Sequence, residues 1–189
     1  KIDGQVLAEQ TGSSTKYAFK LQHLYESELH LSADGPWERG ISCFATDTGF
    51  SYNHIFLFKI KECKHGVYFD SNGTGWVNEN TFHGGRFATT GSSTQTSHIH
   101  MPKGSGASVV NGNKFIGPSL ETATGSTMTN LIWCDGHSNL FLHPRVEPKS
   151  GTITVGNEIV FSADSFNNQI FGGFDVTLGD GAAGTDNQT

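Results

Sequence analysis

Glu121 and Glu147 occupy the same place in two similar stretches of this sequence, and two close carboxylates can carry out acid–base chemistry. Residues 117–121 align with residues 143–147, and each glutamate follows an asparagine by eight residues. If the two stretches form neighbouring strands in register, the carboxylates lie about 5 Å apart, close to the ~5–5.5 Å separation of a retaining glycosidase. Their repulsion would raise the pKa of one carboxyl and leave an acid beside a base. We therefore predict that Glu121 and Glu147 are catalytic; the alternative is a solvated pair on a turn.

Three aromatic side chains and one arginine are candidates for binding a saccharide. Tyr68 and Trp133 each lie between two residues that the alternation places in the core, so both are predicted to point outward. Trp76 lies in a glycine-flanked insertion. Sugar rings stack on such flat apolar faces, and Arg145 could bind an acidic sugar or neutralise one of the glutamates. The alternative is that the aromatic rings pack against a neighbouring subunit or loop.

Asp70 and Asp135 form a second pair of carboxylates, each placed just after a strand of the predicted repeat. The two strands are not adjacent, so roughly 10 Å should separate the side chains. That separation agrees poorly with the distance between the two carboxylates of an inverting glycosidase. Capping of turns is the better interpretation of these two residues.

The histidines and cysteines do not form a metal motif. His98 and His100 have the spacing that puts two rings on one face of a strand, but the Ser-, Thr- and Gly-rich segment around them, residues 91–106, is predicted to be an insertion loop. The chain has an odd number of cysteines, Cys43, Cys63 and Cys134, and they lack metal-ligand spacing. Cys63 and Cys134 lie near or on inward-facing strands, where a buried thiol acts as a small hydrophobe. The sequence also contains no nucleophile elbow, P-loop or zinc motif. It therefore predicts no metal and no cofactor.

A sequence motif that occurs five times must position these candidate residues. It consists of an asparagine, any residue, a large apolar residue, any residue and then usually a glycine step; the asparagines are Asn53, Asn80, Asn113, Asn139 and Asn168. Their spacings are 27, 33, 26 and 29 residues, and a period of this size is typical of stacked repeat proteins. Asparagine suits a corner, because its side chain bonds nearby backbone and it tolerates a left-handed conformation.

Each repeat also holds a second β-rich run, at residues 66–70, 131–135 and 158–162, with a weaker match at residues 107–110. Both runs alternate like strands, and no stretch shows the apolar stripe of a long helix. One repeat would then be one rung of a solenoid of parallel strands about 4.8 Å apart. Two inward columns are predicted, one of Phe82, Phe115, Phe141 and Ile170 and one of Val67, Ile132 and Ile159. A β-sandwich with chance Asn-Gly turns is the competing interpretation.

Four segments, residues 65–69, 75–87, 139–147 and 168–173, resemble the right-handed parallel β-helix of the pectate-lyase-like superfamily. The likeness is strongest to bacteriophage tailspikes and tail-associated polysaccharide depolymerases. It implies an all-β fold, a right-handed parallel β-helix solenoid with rungs of about 26–33 residues. It also implies a homotrimer with other domains at both ends. These motifs are fairly specific for the fold but say little about activity, because the fold hosts lyases, hydrolases and binding proteins.

Composition and charge narrow the range of functions. The 189 residues allow one domain with a sizeable core, and 24 glycines suit many tight turns. A net charge of −6 without a basic run argues against nucleic acid as a partner, and no apolar run has the length needed for membrane insertion. We divide the domain into less regular early rungs at 1–50, regular rungs at 51–178 and a loop or frayed tail at 179–189. The chain is expected to be a fragment of a larger protein.

Three hypotheses of function follow. The first is recognition and depolymerisation of bacterial surface polysaccharide, capsule or lipopolysaccharide, by a hydrolase or lyase of a virion tail or of an extracellular protein. The second is a non-catalytic module that binds the same glycans, and the third is a structural shaft of a tail fibre. Paired carboxylates beside exposed aromatics would favour the first, and aromatics alone would favour the second. A lateral surface buried by other subunits would favour the third.

Overall fold

The computed structural model describes residues 16–90, 94–104, 109–149, 151–153 and 158–173 and the backbone of residues 5–9; of residues 147–149 it likewise describes only the backbone. Within these ranges the chain is all-β, with 21 strands and no helix. Every pairing between these strands is parallel. The β-sandwich interpretation does not fit this part of the chain, because β-sandwiches consist of antiparallel sheets. The predicted tail, residues 179–189, lies outside the described residues.

The described strands form four parallel sheets. The first sheet contains β1 (Gln5–Glu9), β3 (Glu28–Asp34), β6 (His54–Lys61), β9 (Thr81–Ala88), β13 (Lys114–Ile116), β14 (Ser119–Thr122), β17 (Leu140–Leu142), β18 (Arg145–Lys149) and β21 (Gln169–Phe171). The second contains β2 (Tyr17–Gln22), β4 (Arg39–Ala45), β7 (His65–Ser71), β11 (Ser97–Met101), β16 (Ile132–Cys134) and β20 (Ile159–Phe161). The third contains β5 (Gly49–Ser51), β8 (Trp76–Asn78) and β12 (Val109–Asn111), and the fourth contains β10 (Thr94–Gln95), β15 (Thr127–Met128) and β19 (Thr152–Ile153).

The chain visits these sheets in a regular order. From β3 onward, one strand of the second sheet separates each visit to the first sheet from the next, where β13 with β14 counts as one visit and β17 with β18 as another. Neighbouring strands within each sheet come from successive repeats. One predicted equivalence is wrong: the strand that continues the second sheet after β7 is β11, at residues 97–101, whereas Val109 and Val110 belong to the third sheet. The predicted insertion loop at residues 91–106 therefore contains a core strand. Because this segment is rich in Ser, Thr and Gly, its alternation through Ile99 and Met101, which are both buried, was not recognised as a strand.

A column of buried asparagines lies where the chain enters the first sheet. The side-chain Nδ2 of Asn53 donates to the Oδ1 of Asn80, and the same bond continues to Asn113, Asn139 and Asn168 at 2.9–3.2 Å. The left-handed conformation was predicted for these asparagines, but the residue before each of them adopts it; these are Tyr52, Glu79, Gly112, Ser138 and Asn167. The asparagines instead satisfy one another and the backbone inside the protein, as buried polar groups must.

Both predicted inward columns are present. Phe82, Phe115 and Phe141 are in register on neighbouring strands of the first sheet, their rings are stacked, and Ile170 continues the column. In the second sheet, Val67, Ile132 and Ile159 share one column with Ile99, which the sequence had not assigned to it. All of these side chains are buried. Because each strand contributes one residue per column, the core depends on neighbouring repeats and not on any single one.

Candidate functional site

Tyr68 and Trp133 lie in one outward column of the second sheet, as their alternation predicted, and His100 lies between them. Tyr68 is in register with His100, and His100 is in register with Trp133. The rings of Tyr68 and His100 are 5.0 Å apart with an interplanar angle of 8°, and those of His100 and Trp133 are 6.5 Å apart at 15°. All three side chains are half-buried. We call this set the aromatic column.

Arg39 covers the outer ring face at one end of the aromatic column. Its guanidinium carbon lies 3.7 Å from the centroid of the Tyr68 ring, a cation–π contact. The same guanidinium forms an ion pair with Asp70, on the strand of Tyr68. Asp135 follows β16 and accepts a hydrogen bond from the backbone N–H of Lys103 at 3.2 Å. Charged planar groups thus flank the aromatic column, an arrangement that can offer several hydrogen bonds to a polar ligand.

A buried hydroxyl fixes the middle of the aromatic column. The Oγ of Ser97 lies 3.0 Å from the Nδ1 of His65 and 3.2 Å from the Nδ1 of His100. One hydroxyl proton can serve only one of these rings, so the other ring must donate to the serine. Burial lowers the pKa of His65 to about 3 and that of His100 to about 4, and both rings are therefore neutral at pH 7. The network orients His100, while the buried Ser97 has no exposed surface from which to attack a ligand.

The aromatic column presents ring edges, more than ring faces, to a ligand. His100 and Arg39 cover the faces of Tyr68, while Trp133 has His100 in register on one neighbouring strand and the buried Val160 in register on the other. Among the described residues, the Tyr68 hydroxyl, the His100 Nε2 and the Trp133 Nε1 have no hydrogen-bond partner, and none of the three is a buried unsatisfied atom. They are therefore free to bond a ligand that runs across the strands.

The other two predicted sugar-binding residues lie elsewhere. Trp76 is on β8 of the third sheet, with its indole packed so close to Gly49 that a Cβ there would lie 2.1 Å from the indole nitrogen. Arg145 begins β18 in the first sheet, opposite Ser119. The structure thus brings together two of the four predicted residues, and it adds Arg39 and His100. The alternation around Ile99 was the signal that could have identified His100.

Glu121 is held by an arginine. Its carboxylate accepts hydrogen bonds from the Nε and a terminal nitrogen of Arg86 at 2.8–3.0 Å and from the Ser119 hydroxyl at 3.1 Å. Burial alone would raise the pKa of Glu121, but the Arg86 and Ser119 hydrogen bonds hold it below its ordinary value. Glu121 is therefore ionised near neutral pH and is suited to act as a base or nucleophile more than as an acid. It lines a cavity of about 550 Å³ with Arg86, Lys59 and Lys61.

Glu147 lies on the strand next to Glu121. The register pairs Ser119 with Arg145 and Leu120 with Val146, as predicted, and then shifts at a bulge before Thr122 pairs with Lys149. The side chain of Glu147 lies outside the described residues. Its catalytic role with Glu121 therefore stays a prediction.

His98 and His100 do not share a face of their strand, contrary to the spacing argument. The backbone N–H groups of His98 and Ile99 both donate to the carbonyl of Leu131, which is the pattern of a β-bulge. His98 consequently turns into the protein, against Phe87, and its Nε2 bonds the backbone carbonyl of Glu121 at 2.9 Å. Burial lowers the pKa of His98 to about 4.

No group of three or more His, Cys, Asp or Glu side chains in the described ranges could hold a metal ion. In those same ranges, no helix is long and apolar enough to cross a membrane. Comparisons of the chain with protein-family models, with curated proteins and with solved structures found no match.

Proposed function

We propose that the chain is a right-handed parallel β-helix that binds a bacterial surface polysaccharide along the outer face of its second sheet. Support for the β-helix comes from the parallel pairing of strands from successive repeats in all four sheets. The columns of Asn and Phe that run from repeat to repeat support it further. A crystal structure would show the handedness of the coil directly.

The observation that carries the glycan-binding proposal is the aromatic column beside Arg39, Asp70 and Asp135. Neighbouring strands lie about 4.8 Å apart, so the column offers one polar ring edge per strand at a spacing close to the length of one sugar unit. A polysaccharide lying across the strands could bond each edge in turn, with the Trp133 N–H at one end of the row. The carboxylates and the guanidinium are planar groups that bond pairs of neighbouring hydroxyls.

Binding without cleavage is the version that this geometry favours. The predicted nucleophile, Glu121, lies on the first sheet, away from the aromatic column, and its carboxylate is bound by Arg86 and Ser119. Asp70, which does lie beside the column, is paired with Arg39. An arginine thus pairs with each of these two carboxylates, which does not favour the protonated carboxyl that donates a proton to a glycosidic oxygen.

A depolymerase is the second candidate function. The pairing of β14 with β18 brings the backbone of Glu121 next to the strand that carries Glu147, and a cavity opens at Glu121. In this version Glu121 is the nucleophile or base and Glu147 the acid, with Arg145 on the same strand. The homotrimer and the location in a virion tail or outside the cell rest on the resemblance and remain proposals with it.

The test combines binding and cleavage on a panel of capsular polysaccharides and lipopolysaccharides. We expect at least one polysaccharide to bind, and we expect Trp133→Ala to weaken that binding at least tenfold, about 1.4 kcal/mol. Trp76→Ala, on the third sheet, is the matched control and should change affinity less than twofold. Equal losses in both variants, with both folds intact by circular dichroism, would refute the proposed surface.

Release of reducing ends, with unsaturated-uronate absorbance recorded in parallel, separates the two candidate functions. We expect no release from a polysaccharide that binds. Reducing ends that disappear in Glu121→Gln would establish the hydrolase instead, and reducing ends together with the ultraviolet signal would establish a lyase.

A further inference from the structure

A pair of histidines lies on the outer face of the first sheet, separate from the aromatic column. His54 is on β6, and His83 is on the neighbouring strand β9, in register with Phe56. The Nδ1 of His54 and the Nε2 of His83 are 3.3 Å apart. His54 is exposed, and His83 is partly buried. We propose that this pair binds a divalent transition metal of the copper, nickel and zinc class, with water completing the coordination.

The distance between the two nitrogens fits two ligands of one metal ion. Imidazole nitrogens bind Zn²⁺ at about 2.0–2.1 Å, and two tetrahedral ligands at that distance are separated by roughly 3.3–3.4 Å. A hydrogen bond between two neutral imidazoles is slightly shorter on average but also reaches this length. The two nitrogens are thus close enough to be bridged either by one proton or by one metal ion.

Ring stacking orients His83 before any ion binds. The ring of Phe56 stacks on that of His83 with centroids 4.5 Å apart at 12°, and His30 stacks on Phe56 at 4.7 Å and 19°. An imidazole that is already oriented can bind a metal ion at little entropic cost.

The donor set determines the class of metal. Imidazole suits Cu²⁺, Ni²⁺ and Zn²⁺, whereas Mg²⁺ and Ca²⁺ require oxygen ligands. Glu28 is in register with His54, but its carboxylate bonds the Nε2 of His30 at 3.1 Å, so we assign it no role as a ligand. With only two protein ligands, the affinity should be modest and should be highest for Cu²⁺.

Calorimetric titration of the chain with Cu²⁺, Ni²⁺, Zn²⁺ and Mg²⁺ tests the proposal. We expect one equivalent of Cu²⁺ to bind most tightly and Mg²⁺ not to bind. His54→Gln and His83→Gln should each lower the Cu²⁺ affinity at least tenfold, and the double variant should lose little more. His137→Gln removes a histidine that stacks on Phe166 far along the chain, and it should leave the affinity unchanged.

Nitrogen-15 spectra of the wild-type chain provide a measurement that does not depend on any variant folding. Zn²⁺ should shift the Nδ1 signal of His54 and the Nε2 signal of His83 before those of the other histidines. Equal shifts across all histidines, or an equal loss of affinity in His137→Gln, would overturn the proposal. The site is independent of glycan binding, so its failure would leave the proposed function unchanged.

Discussion

Asn80 directs two donors at one oxygen of Asn113. Its side-chain Nδ2 lies 2.9 Å from the Asn113 Oδ1, and its backbone N–H lies 3.2 Å from the same atom. Both residues are fully buried. Asn113 in turn donates its own Nδ2 to the carbonyls of Val77 and Asn111 and to Asn139. One amide thus satisfies backbone groups from two neighbouring repeats, and it couples those repeats energetically.

Replacing Asn113 should therefore cost more than the loss of a single hydrogen bond. In Asn113→Ala, two donors of Asn80 lose their acceptor and the carbonyl of Val77 loses a donor, whereas the carbonyl of Asn111 keeps the backbone N–H of Glu79. Each buried group left unsatisfied costs about 1–3 kcal/mol. We expect the free energy of unfolding in urea to fall by about 3–5 kcal/mol. Asn111→Ala is the matched control, since the Oδ1 of Asn111 is buried without a hydrogen bond. A similar loss in both variants would contradict the coupling.

The free energy of unfolding should decrease as the pH is lowered, because of the His98 imidazole. Burial lowers the pKa of this imidazole to about 4, against about 6.5 in the unfolded chain, so the unfolded state binds more protons between these two values. The stabilisation is complete above pH 6.5, and it is lost progressively as the pH falls to 4, by about 3 kcal/mol in total. Urea unfolding at pH 7.0, 5.5 and 4.5 measures this loss.

His98→Gln supplies the control for that titration. The glutamine amide can still donate to the carbonyl of Glu121 but has no proton to gain. We expect the variant to lose less stability than the wild type between pH 6.5 and 4, with the remaining slope due to His65 and His100, whose pKa values burial also lowers. Identical slopes in variant and wild type would show that His98 does not carry the effect.

The three thiols should be unreactive in the folded protein. Cys43, Cys63 and Cys134 are free and buried, and burial raises the pKa of Cys63 and of Cys134 to about 12. Since the thiolate is the reactive form, a thiol reagent at pH 8 should label none of them in buffer and all three in urea. Labelling that proceeds in buffer at the rate of a free thiol would contradict the burial of these strands.

The sequence predicted more of the interior than of the candidate site, and the column of buried asparagines shows why. Asn80 and Asn113 repeat in fixed order with a large apolar residue two positions later, so the spacing alone predicts which residues share a column. The same reasoning placed Tyr68 and Trp133 outside on the second sheet. What periodicity does not determine is the local departure from it. The bulge at His98 reverses one side chain, and no spacing rule anticipates that reversal.

The partner of Glu121 could not be predicted for a related reason. Arg86 lies 35 residues earlier in the chain, and the pair forms because Glu121 aligns with Ala88, which places Ser119 opposite Arg86. The sequence suggested only the alignment of β14 with the following strand, β18. Each strand of a parallel sheet has two neighbours, and the repeat pattern assigns no preference between them for a surface charge. The arginine that governs this carboxylate was therefore missed.

Arg86 should control the ionisation of Glu121. Its guanidinium donates to both carboxylate oxygens and offsets the effect of burial, which by itself raises the pKa of the carboxyl. In Arg86→Ala we expect the pKa of Glu121 to rise, because the carboxyl stays partly buried while the bidentate hydrogen bond from the guanidinium is lost. Carbon-13 titration of the side-chain carboxyl measures the change. Lys64→Ala, which removes a cation paired with Glu38, is the control and should leave this pKa unchanged.

The direction of that change also bears on catalysis at Glu121. A carboxylate that Arg86 keeps ionised can serve a depolymerase as a nucleophile, and loss of the arginine would then lower cleavage at pH 5 by protonating Glu121. For a module that only binds glycans at the aromatic column, Arg86→Ala should change neither affinity nor its pH dependence. We expect the second result, measured as polysaccharide affinity between pH 5 and 8. A loss of cleavage that follows the new pKa of Glu121 would move the functional centre from the second sheet to the first.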